Sequence, residues 1–208
     1  MLYGNFQLST LNSQLLLYIA FLLLISCAPK PQVQTYFESG KQVAVPDSAK
    51  VKAALLVSQN DMKERLSAVL FTVPNEKHRL ELSGTFGLSV ASILWKSDGW
   101  KIVFPQDERY MEGAGSCVFV PIYGSVDIHK FAALFLGQRV NSLDCDDLAA
   151  SDLILEYKGN SVSFFFGHTV TDNYPSLQLE IKNIDPKAQW KSGVWNLNVP
   201  ESYVRIAY

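Results

Sequence analysis

Residues 79–104 read RLELSGTFGLSVASILWKSDGWKIVF, and this stretch decides the fold class because its apolar residues alternate with polar ones. Such alternation is typical of a β-strand with one apolar face. Asp98 and Gly99 form a tight turn, since glycine tolerates the positive φ that hairpin turns require. The stretch therefore predicts successive antiparallel strands, with apolar positions at Leu80 and Leu82, at Leu88, Val90 and Leu94, and at Trp100, Ile102 and Phe104.

The same alternation extends to both sides of this stretch. It is accompanied by turn residues, such as Lys158-Gly159-Asn160, between pairs of apolar segments. The pattern predicts an antiparallel meander with one apolar face rather than alternating β-α-β units. The further strands are expected at residues 51–57, 66–70, around Tyr110, and at 153–157, 162–166, 177–181 and 195–199.

One helix is predicted in the middle of the chain. Ser125 is a good N-cap, Asp127 falls in the first turn, and Gly137 stands where a C′ glycine is expected. Between them Ile128, Phe131, Ala132 and Phe135 recur at the spacing of one helix face. A helix laid on an apolar sheet face predicts a mainly β, α+β fold. The residues leave open whether it encloses an ordinary two-layer core or an apolar cavity for acyl chains.

The beginning of the chain has the features of a lipoprotein signal. Residues 15–25 are uniformly apolar, Ser26 follows, and Cys27 then stands where a lipobox cysteine is alkylated by a diacylglyceryl group. Residues 1–14 lack the usual Lys or Arg, and a short transmembrane anchor is the alternative. We expect residues 1–26 to be the signal peptide, residues 27–49 a lipidated N-terminus with a flexible tether, and residues 50–208 the folded domain.

Composition excludes a nucleic-acid partner, because the net charge is −2 and no basic stripe is present. Cys117 and Cys145 form either a disulfide or two free buried thiols. Ser125, Asp127 and His129 are too close in sequence to converge as a catalytic triad, so a cap and two solvent-facing side chains are expected.

Other chemical motifs are incomplete. The Ser in residues 113–117 lacks the glycine spacing of a nucleophile elbow, and the acidic run at residues 144–147 lacks the Gly and Glu of a calcium loop. His78, His129 and His168 have no metal-ligand spacing. We therefore expect no enzyme activity, no metal and no cofactor.

The order of several short motifs resembles the LolB family of outer-membrane lipoprotein receptors and, more loosely, its carrier partner LolA. The motifs are residues 79–87 (RLELSGTFG), the segment 120–122 (VPI) before the helix, its end at residues 135–137 (FLG), and Tyr174-Pro175. The resemblance runs from about residue 51 to residue 181. It departs from the family at Thr85 and Phe86, where the family has Pro and Leu, and residues 185–208 lie outside it.

The resemblance implies a half-open antiparallel β-barrel that encloses a hydrophobic cavity under a helical lid. It further implies a monomeric lipoprotein, anchored by Cys27 to the periplasmic face of the outer membrane, that receives acyl chains of other lipoproteins from a LolA-like carrier and inserts them. Phe86 falls where the family carries a protruding apolar residue for membrane insertion. A structural or accessory envelope lipoprotein that docks a protein partner is the alternative. The expected cavity lining is Leu80, Leu82, Leu88, Val90, Ile102, Phe104, Ile128, Phe131 and Phe135.

Overall fold

The computed structural model of the chain is built around one large sheet. It describes residues 36–37, 44–59, 62–120, 124–145, 153–166 and 176–207, all of which belong to the unit Thr35–Tyr208. The strands in these residues are β1 (Ala49–Gln59), β2 (Met62–Val73), β3 (Lys77–Ser83), β4 (Ser89–Lys96), β5 (Gly99–Phe104), β6 (Arg109–Ala114), β7 (Cys117–Val120), β8 (Gly124–Asp127), β9 (Leu153–Lys158), β10 (Ser161–Phe166), β11 (Ser176–Asp185) and β12 (Val204–Arg205).

Ten of these strands pair in the order β12-β6-β5-β4-β3-β2-β1-β11-β10-β9. Strands β1 to β6 are therefore a meander of sequence neighbours, and β11 joins the other side of β1. All pairs in the sheet are antiparallel except β12 with β6, which is parallel. In the described part of the chain the sheet is open, with β12 and β9 at its edges. The mainly β architecture and the antiparallel meander are confirmed.

One face of the sheet, which we call the inner face, carries the core. The register places Leu70 opposite Val51 on one side and Leu80 on the other, and Trp95 lies opposite Trp100. The apolar residues of neighbouring strands therefore lie opposite one another on the same face of the sheet. The buried apolar side chains of this face include Ala49, Val51, Ala53, Leu55, Leu66, Ala68, Leu70, Leu80, Trp95, Trp100, Val162, Phe164, Leu179 and Ile181.

The predicted helix, α1, spans Ile128–Phe135 and packs on the inner face through Ile128, Ala132 and Phe135. Its N-cap is Asp127, whose carboxylate accepts hydrogen bonds from the backbone N–H groups of His129 and Lys130. The expected cap at Ser125 was wrong by two residues, because Ser125 lies in β8 and extends the hairpin with β7.

Gly137 is the C′ residue that terminates the helix, as predicted. This glycine has φ 75°, and its N–H bonds the carbonyl of Leu134 while Gln138 N–H bonds that of Ala133. The two bonds are those of a Schellman motif, which satisfies carbonyls left free at the end of a helix.

The other face of the sheet, which we call the outer face, is contacted by the C-terminal segment, residues 186–207, which ends by pairing at the sheet edge as β12. Trp190 packs its ring 6.0 Å from Phe71, and Arg79 Nη1 donates to the carbonyls of Val194 and Asn196 at 2.8 and 2.9 Å. The strand expected at residues 195–199 was wrong: a short 3₁₀ helix, Ser192–Trp195, leads into irregular backbone. Residues 195–199 therefore lie over the outer face and do not pair as a strand at the sheet edge.

The core also includes Tyr36 and Phe37, which precede the expected domain boundary at residue 50. Tyr36 and Phe37 are buried, and the Phe37 N–H donates to the Gly159 carbonyl at 2.9 Å. Arg139 in turn donates from Nε and Nη2 to the Phe37 carbonyl. The tether expected over residues 27–49 is therefore too long, because aromatic side chains at this point bury apolar area against the domain.

Candidate functional site

The candidate site is the inner face together with helix α1. A helix of this length extends about 12 Å, whereas ten strands spaced by about 4.8 Å extend about 43 Å across the sheet. The described helix can therefore cover only part of the apolar face. Beside the core lie partly buried apolar side chains at Leu82, Val90, Ile93, Ile102, Met111, Phe131, Leu153, Leu155 and Leu177.

The structure places most of the expected lining residues in this site. At most 2% of each side chain is exposed at Leu80, Ile128 and Phe135. Phe131 is half-buried, with its ring 5.4 Å from Phe135 and 6.5 Å from Phe164 on the sheet. The other half-buried members of the expected lining are Leu82, Val90, Ile102 and Phe104.

Leu88 is the exception, because its side chain is 61% exposed. Strand β4 begins only at Ser89, and the Leu88 carbonyl accepts a hydrogen bond from Gly84 N–H at 2.9 Å. This bond closes the turn between β3 and β4, so Leu88 belongs to the turn and not to the inner face. Its assignment to the lining was wrong.

That turn, residues 84–88, which we call the tip loop, carries Phe86. The Phe86 side chain is 96% exposed and its backbone has φ 61° and ψ 16°. Gly87, which follows, has φ 73°. The ring therefore points into solvent, not back into the core, and Phe86 holds a left-handed conformation that β-carbon sterics disfavour.

A pair of imidazoles joins α1 to the sheet. His78 on the inner face of β3 lies with Nδ1 2.7 Å from Thr72 Oγ1 and Nε2 3.0 Å from His129 Nδ1 on the helix. Burial, with the proximity of His129 as a second cause, lowers the pKa of His78 from 6.5 to about 4. His78 is therefore neutral at pH 7. His129, expected to face solvent, instead bonds His78, while Asp127 acts as the cap.

Helix α1 lies within a disulfide-closed loop. Cys117, the first residue of β7, is bonded to Cys145, with Cα atoms 5.9 Å apart, and this settles the alternative that the sequence left open. The loop is also held by Lys130 Nζ, which donates to the Asp144 carbonyl at 2.8 Å, and by a β-bridge between Val126 and Asp144. The helix is therefore fixed at both of its connections.

A cleft of about 640 Å³ with polar and apolar lining lies on the outer face between the C-terminal segment and strands β4 to β6. Glu112 in this cleft accepts from Lys101 Nζ at 3.1 Å and lies 3.7 Å from Arg205 Nη1. The sequence pattern did not reveal this cleft, because the path of residues 186–207 was not foreseen. A usable signal was present, since Ile93-Leu94-Trp95 and Ile102-Val103-Phe104 are apolar on both faces of their strands.

Within the described ranges no group of three or more His, Cys, Asp or Glu side chains could hold a metal ion. Cys27, His168 and the second half of the acidic run, residues 146–147, lie outside those ranges. Among the helices that the structure describes, none has the length and apolar character needed to cross a bilayer.

Neither the models of known protein families nor the sequences of curated proteins give a significant match to this chain. Its function is therefore inferred from the residues themselves and from their geometry.

Proposed function

We propose that this chain is a lipoprotein, anchored by Cys27 to the periplasmic face of the outer membrane, that binds the acyl chains of other lipoproteins and helps to insert them. The proposal includes the half-open barrel, with α1 as the lid over an apolar cavity and a LolA-like carrier as donor. Its strongest support is Phe86, an aromatic ring held in solvent at the end of a glycine-flanked turn.

Phe86 supports a role outside folding because its position adds no packing and carries a conformational cost. A side chain that is 96% exposed contributes almost no burial to the folded state. A non-glycine residue in the left-handed region costs on the order of 1 kcal/mol, and such strain is concentrated at functional sites. An exposed ring can instead embed in a lipid interface, where burying one Phe is worth about 1.5–3 kcal/mol.

The inner face supports the acyl-chain part of the proposal. It carries a series of half-buried aliphatic and aromatic side chains, and α1 is too short to cover them all. Binding sites for apolar ligands are concave and are lined mainly by such side chains. Phe131, at the half-buried side of the helix, is the residue most suitable for testing contact with a bound chain.

We predict that Phe86→Glu and Phe86→Gly both fold normally and bind cargo, yet deliver it poorly. Glu places a charge where the ring would enter lipid, and Gly removes the ring while relieving the left-handed strain. The melting temperature of the Glu variant should change by less than about 2 °C, and that of the Gly variant should be unchanged or higher. Transfer of a fluorescent triacylated lipopeptide from the protein to phospholipid vesicles measures delivery. Normal transfer by both variants would contradict the insertion role.

We predict that Phe131→Asp abolishes acyl-chain binding while the domain remains folded. Phe131 is only half-buried, so the carboxylate can reach water in the free protein, whereas a bound chain would desolvate it. Phe135→Asp is the matched control, because Phe135 is 1% exposed and its replacement should unfold the domain. Circular dichroism together with lipopeptide binding separates these results. A folded Phe131→Asp protein that binds normally would refute the cavity.

The alternative is an accessory envelope lipoprotein that uses this fold to dock a protein. Mass spectrometry of the protein purified from cells distinguishes the two functions. Bound lipid or lipoprotein supports the proposed function, whereas a stoichiometric protein partner without lipid supports the alternative.

A further inference from the structure

The exposed apolar side chains are concentrated at one end of the sheet. Among the described residues six large apolar side chains are strongly exposed, namely Val45, Met62, Phe86, Leu88, Ile154 and Val204. The strand register decides where each one lies. Since neighbouring strands are antiparallel, the end of β1 lies on the same side of the sheet as the starts of β2, β4, β6, β9 and β11 and the ends of β3, β5 and β10. The strand ends are staggered, because β3 ends at Ser83 opposite Ser67, five residues inside the start of β2.

Five of the six belong to that end. Met62 begins β2 opposite Gln59. Phe86 and Leu88 lie in the tip loop between β3 and β4. Val204 pairs with Arg109, the first residue of β6, and Ile154 pairs with Phe165 near the end of β10. We call these five residues the strand-end rim.

The opposite end has a different character. Its turns at residues 74–76, 97–98 and 158–160 carry mostly polar or charged residues, including Asn75, Glu76, Asp98 and Lys158. Val45 is the single strongly exposed large apolar side chain assigned to that side in the described residues, four positions before β1 begins. The rim end also has a polar turn, residues 105–108, so the two ends differ in their exposed large apolar side chains and not in their polar turns.

We infer that the whole strand-end rim, and not the tip loop alone, is a surface that docks on a phospholipid bilayer. This inference rests on the proposed function, because it specifies where the membrane contact is made. The rim residues lie on separate elements from β12 to β9, nine strand spacings or about 43 Å apart when measured along the sheet, with polar residues between them. A protein pocket receives apolar side chains that are contiguous, whereas a bilayer interface can receive single apolar side chains from separate strand ends.

The charges at the rim indicate how the contact is made. The exposed charges at this end are of both signs, namely Lys63, Arg65 and Arg109 together with Glu64, Asp107, Glu108 and Glu201, so neither sign dominates. Insertion of apolar side chains into the interface should therefore account for docking, and added salt should change it little.

Photo-crosslinking in vesicles tests this surface with the full chain. Benzoylphenylalanine is introduced in place of Met62, Ile154 or Val45, the protein is reconstituted in phosphatidylethanolamine–phosphatidylglycerol vesicles, and lipid adducts are counted by mass spectrometry. All three side chains are exposed, so these replacements leave the core intact. We expect at least about fivefold more adduct at positions 62 and 154 than at position 45, with and without about 0.5 M salt.

Equal yields at the three positions would overturn the inference, as would crosslinks from positions 62 and 154 to a protein in whole cells. Met62→Glu and Val45→Glu provide a second measurement: lipopeptide transfer should fall severalfold in the first and remain normal in the second. Lipopeptide binding separates the two proposals. Binding without rim adducts refutes the rim alone, and rim adducts without binding refute the cargo function alone.

Discussion

Replacing Cys117 and Cys145 together by Ser is expected to lower the melting temperature by about 10 °C. The bond closes a loop with a sequence separation of 28 residues. For a loop of that length the chain-entropy relation gives about 3–4 kcal/mol of stabilisation, and each kcal/mol shifts the melting temperature of a domain this size by about 2–4 °C. Calorimetry on both proteins under oxidising conditions measures the difference.

The control is the wild-type protein with its disulfide reduced. It should melt like the double Ser variant, because both lack the same cross-link. Lipopeptide binding is a second readout, since the loop contains α1. We expect the affinity to fall as well, because the proposed lid loses a constraint on its connections. A melting temperature within about 2 °C of wild type would show that the loop is held mainly by its hydrogen bonds, such as that from Lys130 to Asp144.

Acidification from pH 7 to pH 4 is expected to remove about 3 kcal/mol of stability through His78 alone. Its pKa is about 4 in the folded protein, against 6.5 for an unperturbed histidine such as that of the unfolded chain. Between these values the unfolded chain binds a proton that the folded protein does not, so stability falls as pH falls. The contribution is complete above the unfolded pKa of 6.5 and is lost by about pH 4.

His78→Gln isolates this effect from the carboxylates that titrate in the same range. The amide can still bond Thr72 and His129 but does not ionise. Its unfolding free energy should therefore depend less steeply on pH than that of wild type between the two pKa values of His78. Urea denaturation at several pH values measures both slopes. Parallel curves would mean that His78 is not shielded from protonation in the folded state.

The parts of the fold that the sequence predicted are those governed by local repetition. Alternation in residues 79–104 gave the strands and the turn at Asp98-Gly99, and the spacing from Ile128 to Phe135 gave the helix. Gly137 was found because its positive φ requires glycine at the helix end. The exact N-cap was not found, because Ser125 and Asp127 are both good capping residues and only the hairpin with β7 distinguishes them.

The features that the sequence did not predict depend on contacts between distant parts of the chain. The C-terminal segment reaches the outer face through Arg79 and Phe71, more than 100 residues earlier, and no local pattern encodes that path. The disulfide and the pairing of His78 with His129 are likewise tertiary. Leu88 was misplaced because the bond between Gly84 and Leu88 ends the alternation before β4 begins. The exposure of Phe86 was expected only from the family resemblance, because no local pattern decides whether a ring in a turn packs back on the core.

The strand order also has a consequence for how the chain folds. Strands β1 to β6 are sequence neighbours, so their hairpins can form as soon as they emerge. Strand β1, however, meets β11 only when the last part of the chain arrives, since Ala54 pairs with Glu180. Until then one long edge of the meander has unpaired N–H and C=O groups, which invite pairing with another chain. Slow synthesis of the C-terminal third should therefore favour aggregation, and chaperones that shield β1 should raise the yield.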